Sequence, residues 1–236
     1  MKYVIIYGST RKGSTYNSVQ LLLNKLGAFS GAETAEFWLP RDMPEHCRGC
    51  FNCILQGEEN CPHFSSTSPL VGAMLEADGI ILASPVYGLD VSGAMKTFID
   101  HTCYLWISHR PSEEMFTKVG FVLSTAAGTG TRRTNKTMKN TLSYLGVKRI
   151  YSFGSSVAAS SWTEVKPEKK AKIERQLTRK AEKFYRACQA RKKLRYRLHT
   201  RFFYLMMRKM IRGYQEESLD KQYWQGKGWL EGEKPF

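Results

Sequence analysis

Five consecutive residues near the start of the chain, Tyr3-Val4-Ile5-Ile6-Tyr7, are apolar, and the run stops at Gly8. A strand with one wet face alternates apolar with polar residues. An unbroken β-branched and aromatic run suits a strand covered on both faces, as in a parallel sheet layered between helices. The loop that follows carries Ser9, Arg11, Ser14, Thr15 and Asn17, after which Val19, Leu21, Leu22, Leu23 and Leu26 supply the apolar side of a helix. A polar loop thus joins a buried strand to a helix N-terminus. The first NH groups of that helix lack intrahelical partners and lie at the positive end of its dipole, which favours a phosphate. Ser9, Ser14, Thr15 and Asn17 add donors and Arg11 adds charge. An ordinary capped strand-to-helix turn uses the same residue types, so the loop alone leaves both readings open.

Two familiar phosphate loops do not fit. The dinucleotide fingerprint needs three glycines in G-x-G-x-x-G, which Gly8 and Gly13 do not provide. The Walker pattern needs a lysine where Ser14 stands. Downstream, strand and helix patterns alternate. Residues 35–39 read as a strand ended by Pro40, and 79–84, 119–124 and 148–153 as three more. Leu70, Val71, Met74 and Leu75 mark a helix capped by Ser68 with Pro69 at its first position. Further helices are expected over 92–107 and 131–145. Such alternation predicts right-handed βαβ crossovers and an α/β, doubly wound five-stranded parallel sheet. Its expected order is the flavodoxin-like 2-1-3-4-5, with ligands outside the carboxyl ends of the strands, where the loops after the first, third and fourth strands meet.

The second of those loops reads Ser84-Pro85-Val86-Tyr87-Gly88-Leu89-Asp90-Val91-Ser92-Gly93, followed by Lys96, Phe98 and Asp100; the third is Ser124-Thr125-Ala126-Ala127-Gly128. Tyr87 offers a planar face and Gly88 lets backbone approach a ligand closely. The first loop resembles G-S-x-R-x-x-S, and the second S-P-x-Y-x4-S-G-x2-K-x-F-x-D, of the flavodoxin-like NAD(P)H-dependent FMN reductases. The resemblance covers residues 3–154. It implies FMN phosphate on Ser9, Arg11, Ser14, Thr15 and Asn17, the isoalloxazine ring against Pro85, Val86, Tyr87 and Gly88, and its pyrimidine edge toward Ser124, Thr125, Ala126, Ala127 and Gly128. It also implies NAD(P)H as substrate and a small acceptor such as a quinone, a nitro or azo compound, or free flavin. The cofactor carries that chemistry, so no side chain is named as a catalytic acid or base.

Cys47, Cys50, Cys53 and Cys61 crowd into a segment, 41–68, that shows no sustained period. Three thiols at intervals of three closed by a fourth suit a cubane cluster better than tetrahedral zinc, which favours two separated knuckles. The pattern resembles the cluster motif of the iron-sulfur flavoproteins, implying a [4Fe-4S] centre exchanging single electrons with FMN. It equally resembles the C-x-G-C-x-x-C stretch of FMN reductases that bind no cluster. Cluster, bare redox-active loop and zinc therefore stay open, with His46 and His63 as flanking substitute ligands. Besides the reductase and the cluster protein, a non-catalytic flavin-binding redox sensor is the third functional reading.

The net charge of +15 is localised: residues 166–212 hold 18 Lys or Arg against 3 Asp or Glu. An acidic electron carrier is therefore disfavoured. After Pro167 that segment lacks proline and glycine and reads as helical throughout, its first half packing on the sheet. The expected division is a flavin-binding domain over 1–190 and a basic helical and aromatic extension over 191–236. Leu194, Leu198, Phe202 and Leu205 form a stripe widened by Phe203, Met206, Met207, Met210 and Ile211. A homodimer contact ranks first for it, a peripheral membrane contact second and nucleic acid third. Trp224 and Trp229 are expected to dock on the body or a partner. No signal peptide and no apolar stretch of about 18 residues is seen, so a cytoplasmic location is expected.

Overall fold

The computed structural model describes residues 1–196 and 198–235, with the Ser30 side chain left aside. Strands β1 (Lys2–Tyr7), β2 (Glu33–Trp38), β3 (Gly79–Pro85), β4 (Val119–Ala126) and β5 (Arg149–Ser156) form one parallel sheet in the order 2-1-3-4-5. The helices are α1 (Ser14–Ser30), α2 (Asn52–Leu55), α3 (Phe64–Glu76), α4 (Gly93–His101), α5 (Thr131–Tyr144), α6 (Pro167–Gln189), α7 (Leu198–Arg212) and α8 (Leu219–Gly226).

The apolar run of β1 divides its side chains between two cores, because successive residues of a strand point to opposite faces. Tyr3, Ile5 and Tyr7 pack with Leu22, Leu26, Leu177 and Phe184 of α1 and α6. Val4 and Ile6 pack with Leu70, Met74, Phe98 and Leu142 of α3, α4 and α5. All five residues of the run Tyr3–Tyr7 are buried, as a central strand of a three-layer sandwich requires.

Three expected elements differ in extent. The helix expected over 92–107 ends at His101, where the Thr102 hydroxyl donates to the carbonyls of Phe98 and Ile99 (3.1 Å each). Helix α3 begins at Phe64 and carries Pro69 inside it, whereas the sequence points to a start at Ser68. Buried His63 supplies the reason: its carbonyl accepts from the NH groups of Ser66 (3.0 Å) and Thr67 (3.1 Å), starting the helix a turn earlier. The stretch 166–212 is not one helix. It breaks after Gln189, and the chain turns past the segments that lead into β3, β4 and β5. There Arg191 pairs with Asp78 (2.5 Å), Lys148 Nζ donates to the Arg191 carbonyl (3.2 Å) and lies over the Tyr196 ring (4.4 Å), and the Tyr196 hydroxyl donates to the Phe116 carbonyl. Helical propensity is a weak prior that such long-range contacts override.

Beyond the break, Tyr204, Met207 and Ile211 of α7 join Ile107, Phe116, Trp224, Trp229 and Leu230 in a third core. Trp224 and Trp229 are fully buried in it, edge to face at 5.2 Å, so the aromatic tail docks on the body. Leu198, Phe202 and Leu205 point the other way and are 82%, 68% and 50% exposed. No helix among the described residues is long and apolar enough to cross a membrane.

Candidate functional site

The carboxyl ends of β1, β3, β4 and β5 open into a cleft of about 250 Å3. Ser9, Arg11, Gly13, Ser14 and Thr15 line one side, Pro85, Val86 and Tyr87 another, and Thr125, Ala126 and Ala127 the floor. These loops are far apart in sequence and meet because the crossovers reverse direction between β1 and β3.

At the first wall, Gly13 is the N-cap of α1 and brings no capping side chain, so the helix's first-turn NH groups face the cleft without a side-chain acceptor. The Thr15 hydroxyl, buried, lies 2.7 Å from the Thr125 hydroxyl and ties this wall to the floor. The Arg11 NH donates to Ser9 Oγ (3.1 Å), and its guanidinium donates to the Ser160 carbonyl (2.6 Å). Arg11 thus closes the phosphate-type loop against the segment after β5. These donors fit a terminal phosphate monoester: unsatisfied NH groups at a helix start, hydroxyls on three sides and one cation.

The second wall is a hairpin turn. Tyr87 and Asp90 exchange backbone hydrogen bonds (3.0 and 3.1 Å), with Gly88 (φ +55°) and Leu89 (φ +64°) both left-handed between them. This turn holds Tyr87 out at the cleft mouth, 51% exposed. Asp90 anchors it: its carboxylate accepts from Arg133 Nε (2.9 Å), Thr137 Oγ1 (2.8 Å) and the Val91 NH (2.8 Å). Burial works against the Asp90 charge, but these hydrogen bonds outweigh it and hold the carboxyl below its usual range. Ser92 caps α4 by accepting from the Met95 NH (3.1 Å) and donates to the Gly8 carbonyl (2.5 Å), locking the first loop to the second.

Four of the expected residues do not line the cleft. Asn17 spends its amide on the carbonyls of Gly13 (2.9 Å) and Lys12 (3.3 Å). Ser124 is buried and donates to the Thr131 carbonyl (3.3 Å), and neither Gly88 nor Gly128 lines the cleft. Conversely, Tyr7, Tyr16, Val157, Ala159 and Ser160 line it without having been singled out. Tyr7 and Tyr16 could have been found as the aromatic residues flanking the first loop. The segment 157–160 carries no motif, and only the closing of β5 against β4 brings it to the site.

The cysteine loop is a neighbouring feature. Cys47 and Cys50 are exposed, Cys53 and Cys61 half-buried, and all are free thiols. Burial pushes the Cys53 thiol up, and Cys61, Cys47 and Cys50 add to it. His46 Nδ1 bonds Thr97 Oγ1 (2.7 Å), while His63 Nδ1 meets His101 Nε2 at 2.8 Å, with both rings of that pair buried. Cys61, His63 and His101 bring ligand atoms within 4.8 Å of one another. His101 lies 38 residues from His63 and gives no spacing signal in the sequence.

A parallel 2-1-3-4-5 sheet with a donor-rich loop at its first helix and a cleft at its switch point defines a flavodoxin-like α/β protein. More narrowly, the chain belongs to the NADPH-dependent FMN reductase family, whose profile matches residues 1–163. An iron-sulfur flavoprotein of Archaeoglobus fulgidus is 38% identical over 113 residues, covering 48% of this chain and 49% of that one. A quinone reductase of Escherichia coli is 28% identical over 130 residues, covering 54% and 61%. The chain thus spans about half the length of the iron-sulfur flavoproteins it matches. Among solved structures, an apo NADH:FMN oxidoreductase superposes with a TM-score of 0.56 at 22% identity, covering 85% of this chain and 93% of the other. A flavone reductase gives 0.60 at 17% identity, covering 84% and 66%. At these identities the structural likeness speaks for the fold.

Proposed function

We propose that this chain binds FMN in the cleft and acts as an NAD(P)H oxidoreductase delivering electrons to a small acceptor such as a quinone, a nitro or azo compound, or free flavin. The observation that carries the reading is the side-chain-free N-terminus of α1 opposite the Val86–Tyr87 wall, a phosphate seat and a planar surface on one cleft. Bound FMN would supply hydride acceptance and electron release. The chain's part is to hold and shield. Arg11, Ser9, Ser14 and Thr15 fix the phosphate end; the Asp90-anchored hairpin sets Tyr87 beside the ring; and small Ala126 and Ala127 leave backbone NH groups open to its polar edge. A homodimer in the cytoplasm is part of this reading, since a second subunit would cover the exposed Tyr87 and Leu89 at the cleft mouth. Purified protein should retain FMN and oxidise NADH or NADPH when a quinone is added. Bound flavin with no turnover would turn the reading to a redox sensor.

A second reading follows from the cysteine loop. The four thiols Cys47, Cys50, Cys53 and Cys61 carried by one segment, together with relatives named iron-sulfur flavoproteins, support a cluster that exchanges electrons with the flavin. Its donor set is four thiols, the set such clusters take. Anaerobic reconstitution should load iron and sulfide, and Cys50→Ser should abolish iron binding while FMN stays. Less than about one iron per chain after reconstitution removes this reading.

A further inference from the structure

Helix α7 has two apolar sides. One, Tyr204, Met207 and Ile211, is buried in the third core. The other, Leu198, Phe202, Leu205, Met206 and Met210, faces outward, and these five are half of the ten large exposed apolar side chains among the described residues. Scattered exposed apolar residues are ordinary, whereas five on one helix face form a patch. Its surroundings are cationic: Lys192, Lys193, Arg195, Arg201 and Lys209 are exposed, and the sequence over 191–213 holds no Asp or Glu.

Beside the first turn of α7 lies a second cavity of about 470 Å3 between α5 and the edge strand β5. Arg132, Lys136 and Lys139 of α5 line it together with His199 of α7, and no acidic residue does. Asn135 also lines it, 8% exposed; its Nδ2 donates to the Phe153 carbonyl (2.8 Å), while its Oδ1 has no hydrogen-bond partner among the described residues. The cavity therefore offers cations for a phosphate and one buried acceptor for a hydroxyl. His199 stacks on Phe203, and Phe203 packs at a tilt against Tyr144, which fixes the apolar stripe next to it.

We propose that the outer face of α7 and the basic cavity of α5 form a docking surface for an anionic phospholipid membrane. The apolar stripe enters the boundary between headgroups and acyl chains, and Arg132, Lys136 and Lys139 take headgroup phosphates, as expected for a helix lying in the interface plane. Charge decides among the occupants. A second copy meeting this face about a two-fold axis would set these exposed cations against their own counterparts, a like-charge contact that opposes association. Nucleic acid would use the cations and leave five apolar side chains in water. A membrane bearing anionic lipid uses both, and each cation near its surface adds roughly fivefold to binding. The proposal stands apart from the flavin reading, since it uses no residue that lines the cleft.

The test is co-sedimentation of the full chain with vesicles. At low salt the chain should pellet with phosphatidylcholine vesicles containing about 30% phosphatidylglycerol and stay in solution with phosphatidylcholine alone. Phe202→Glu with Leu205→Glu should cut binding by about tenfold or more, with circular dichroism and melting temperature unchanged because both sites are exposed. Met206→Gln with Met210→Gln, a milder change on the same face, should act in the same direction. Lys136→Ala with Lys139→Ala should remove about tenfold or more, and mainly the salt-sensitive part. Equal binding to neutral vesicles, or wild-type binding by these variants, overturns the proposal. So does a dimer that Phe202→Glu with Leu205→Glu splits while vesicles capture nothing, or capture of duplex DNA without vesicles.

Discussion

Arg110 and Asp220 stand 110 residues apart and meet in a buried ion pair, Nη1 to Oδ1 at 2.7 Å. Arg110 Nη1 also donates to the Ile54 carbonyl (3.1 Å) and Nη2 to the Cys53 carbonyl, while Asp220 Oδ2 lies 2.8 Å from His109 Nδ1. Through this pair the C-terminal extension holds the cysteine loop in place. Removing Asp220 leaves buried Arg110 with only a long contact to the half-exposed Glu58 carboxylate (3.4 Å), and a buried charge left without a close partner costs far more than the pair contributes. Asp220→Ala should therefore destabilise the protein by about 3–5 kcal/mol in urea unfolding. Cys53 should also react faster with a thiol reagent, because its carbonyl loses a fixed donor. Lys96→Ala, which breaks the exposed Lys96–Asp100 pair, is the control and should cost less than about 1 kcal/mol.

Arg11→Ala with Ser14→Ala should weaken FMN by about 2–4 kcal/mol, summing one charge-assisted and one neutral hydrogen bond. Flavin fluorescence quenching reads this directly. Asn17→Ala should behave differently: its amide serves loop carbonyls, so the loss should appear in thermal stability with affinity little changed. Unaltered affinity in the double variant would remove the phosphate seat from the first loop.

Gly130 sits at φ +102°, and a Cβ there would lie 2.6 Å from Val86 Cγ1 and 3.3 Å from Leu89 Cα. Gly130→Ala therefore meets backbone strain and pushes on the hairpin that forms the second wall. A loss of about 1–3 kcal/mol is expected from overpacking. The melting temperature should fall, and flavin affinity with it, because the displaced residues belong to the cleft.

The Asp90 carboxyl is held below its usual range, the hydrogen bonds from Thr137, Val91 and Arg133 outweighing burial. A carboxyl whose folded value lies below its unfolded one, about 3.9, stabilises fully above that unfolded value. The contribution disappears as pH falls through the folded value. Melting temperature and flavin retention should therefore drop in acid below about pH 4. Asp90→Asn should flatten that part of the profile, and an identical acid profile in the variant would exclude Asp90 as its source.

Where a stretch of sequence meets its structural demand locally, it was legible. The run Tyr3–Tyr7 is apolar at every position because both faces of β1 are covered, and alternating strand and helix patterns leave little freedom in how a parallel sheet is wound. The three loops at the strand ends were legible for the same reason, since each follows directly from its own strand. Long-range contacts decided the rest. The break after Gln189 depends on Asp78, Phe116 and Lys148; the pairing of His63 with His101 and of Arg110 with Asp220 depends on segments that only folding brings together. In α7 the spacing marks apolar residues on both sides and cannot say which side meets the body. The third core takes Tyr204, Met207 and Ile211 because Trp224 and Trp229 complete it, leaving Leu198, Phe202 and Leu205 outside. Helical periodicity records that a face is apolar, and only the packing partner determines whether that face is buried.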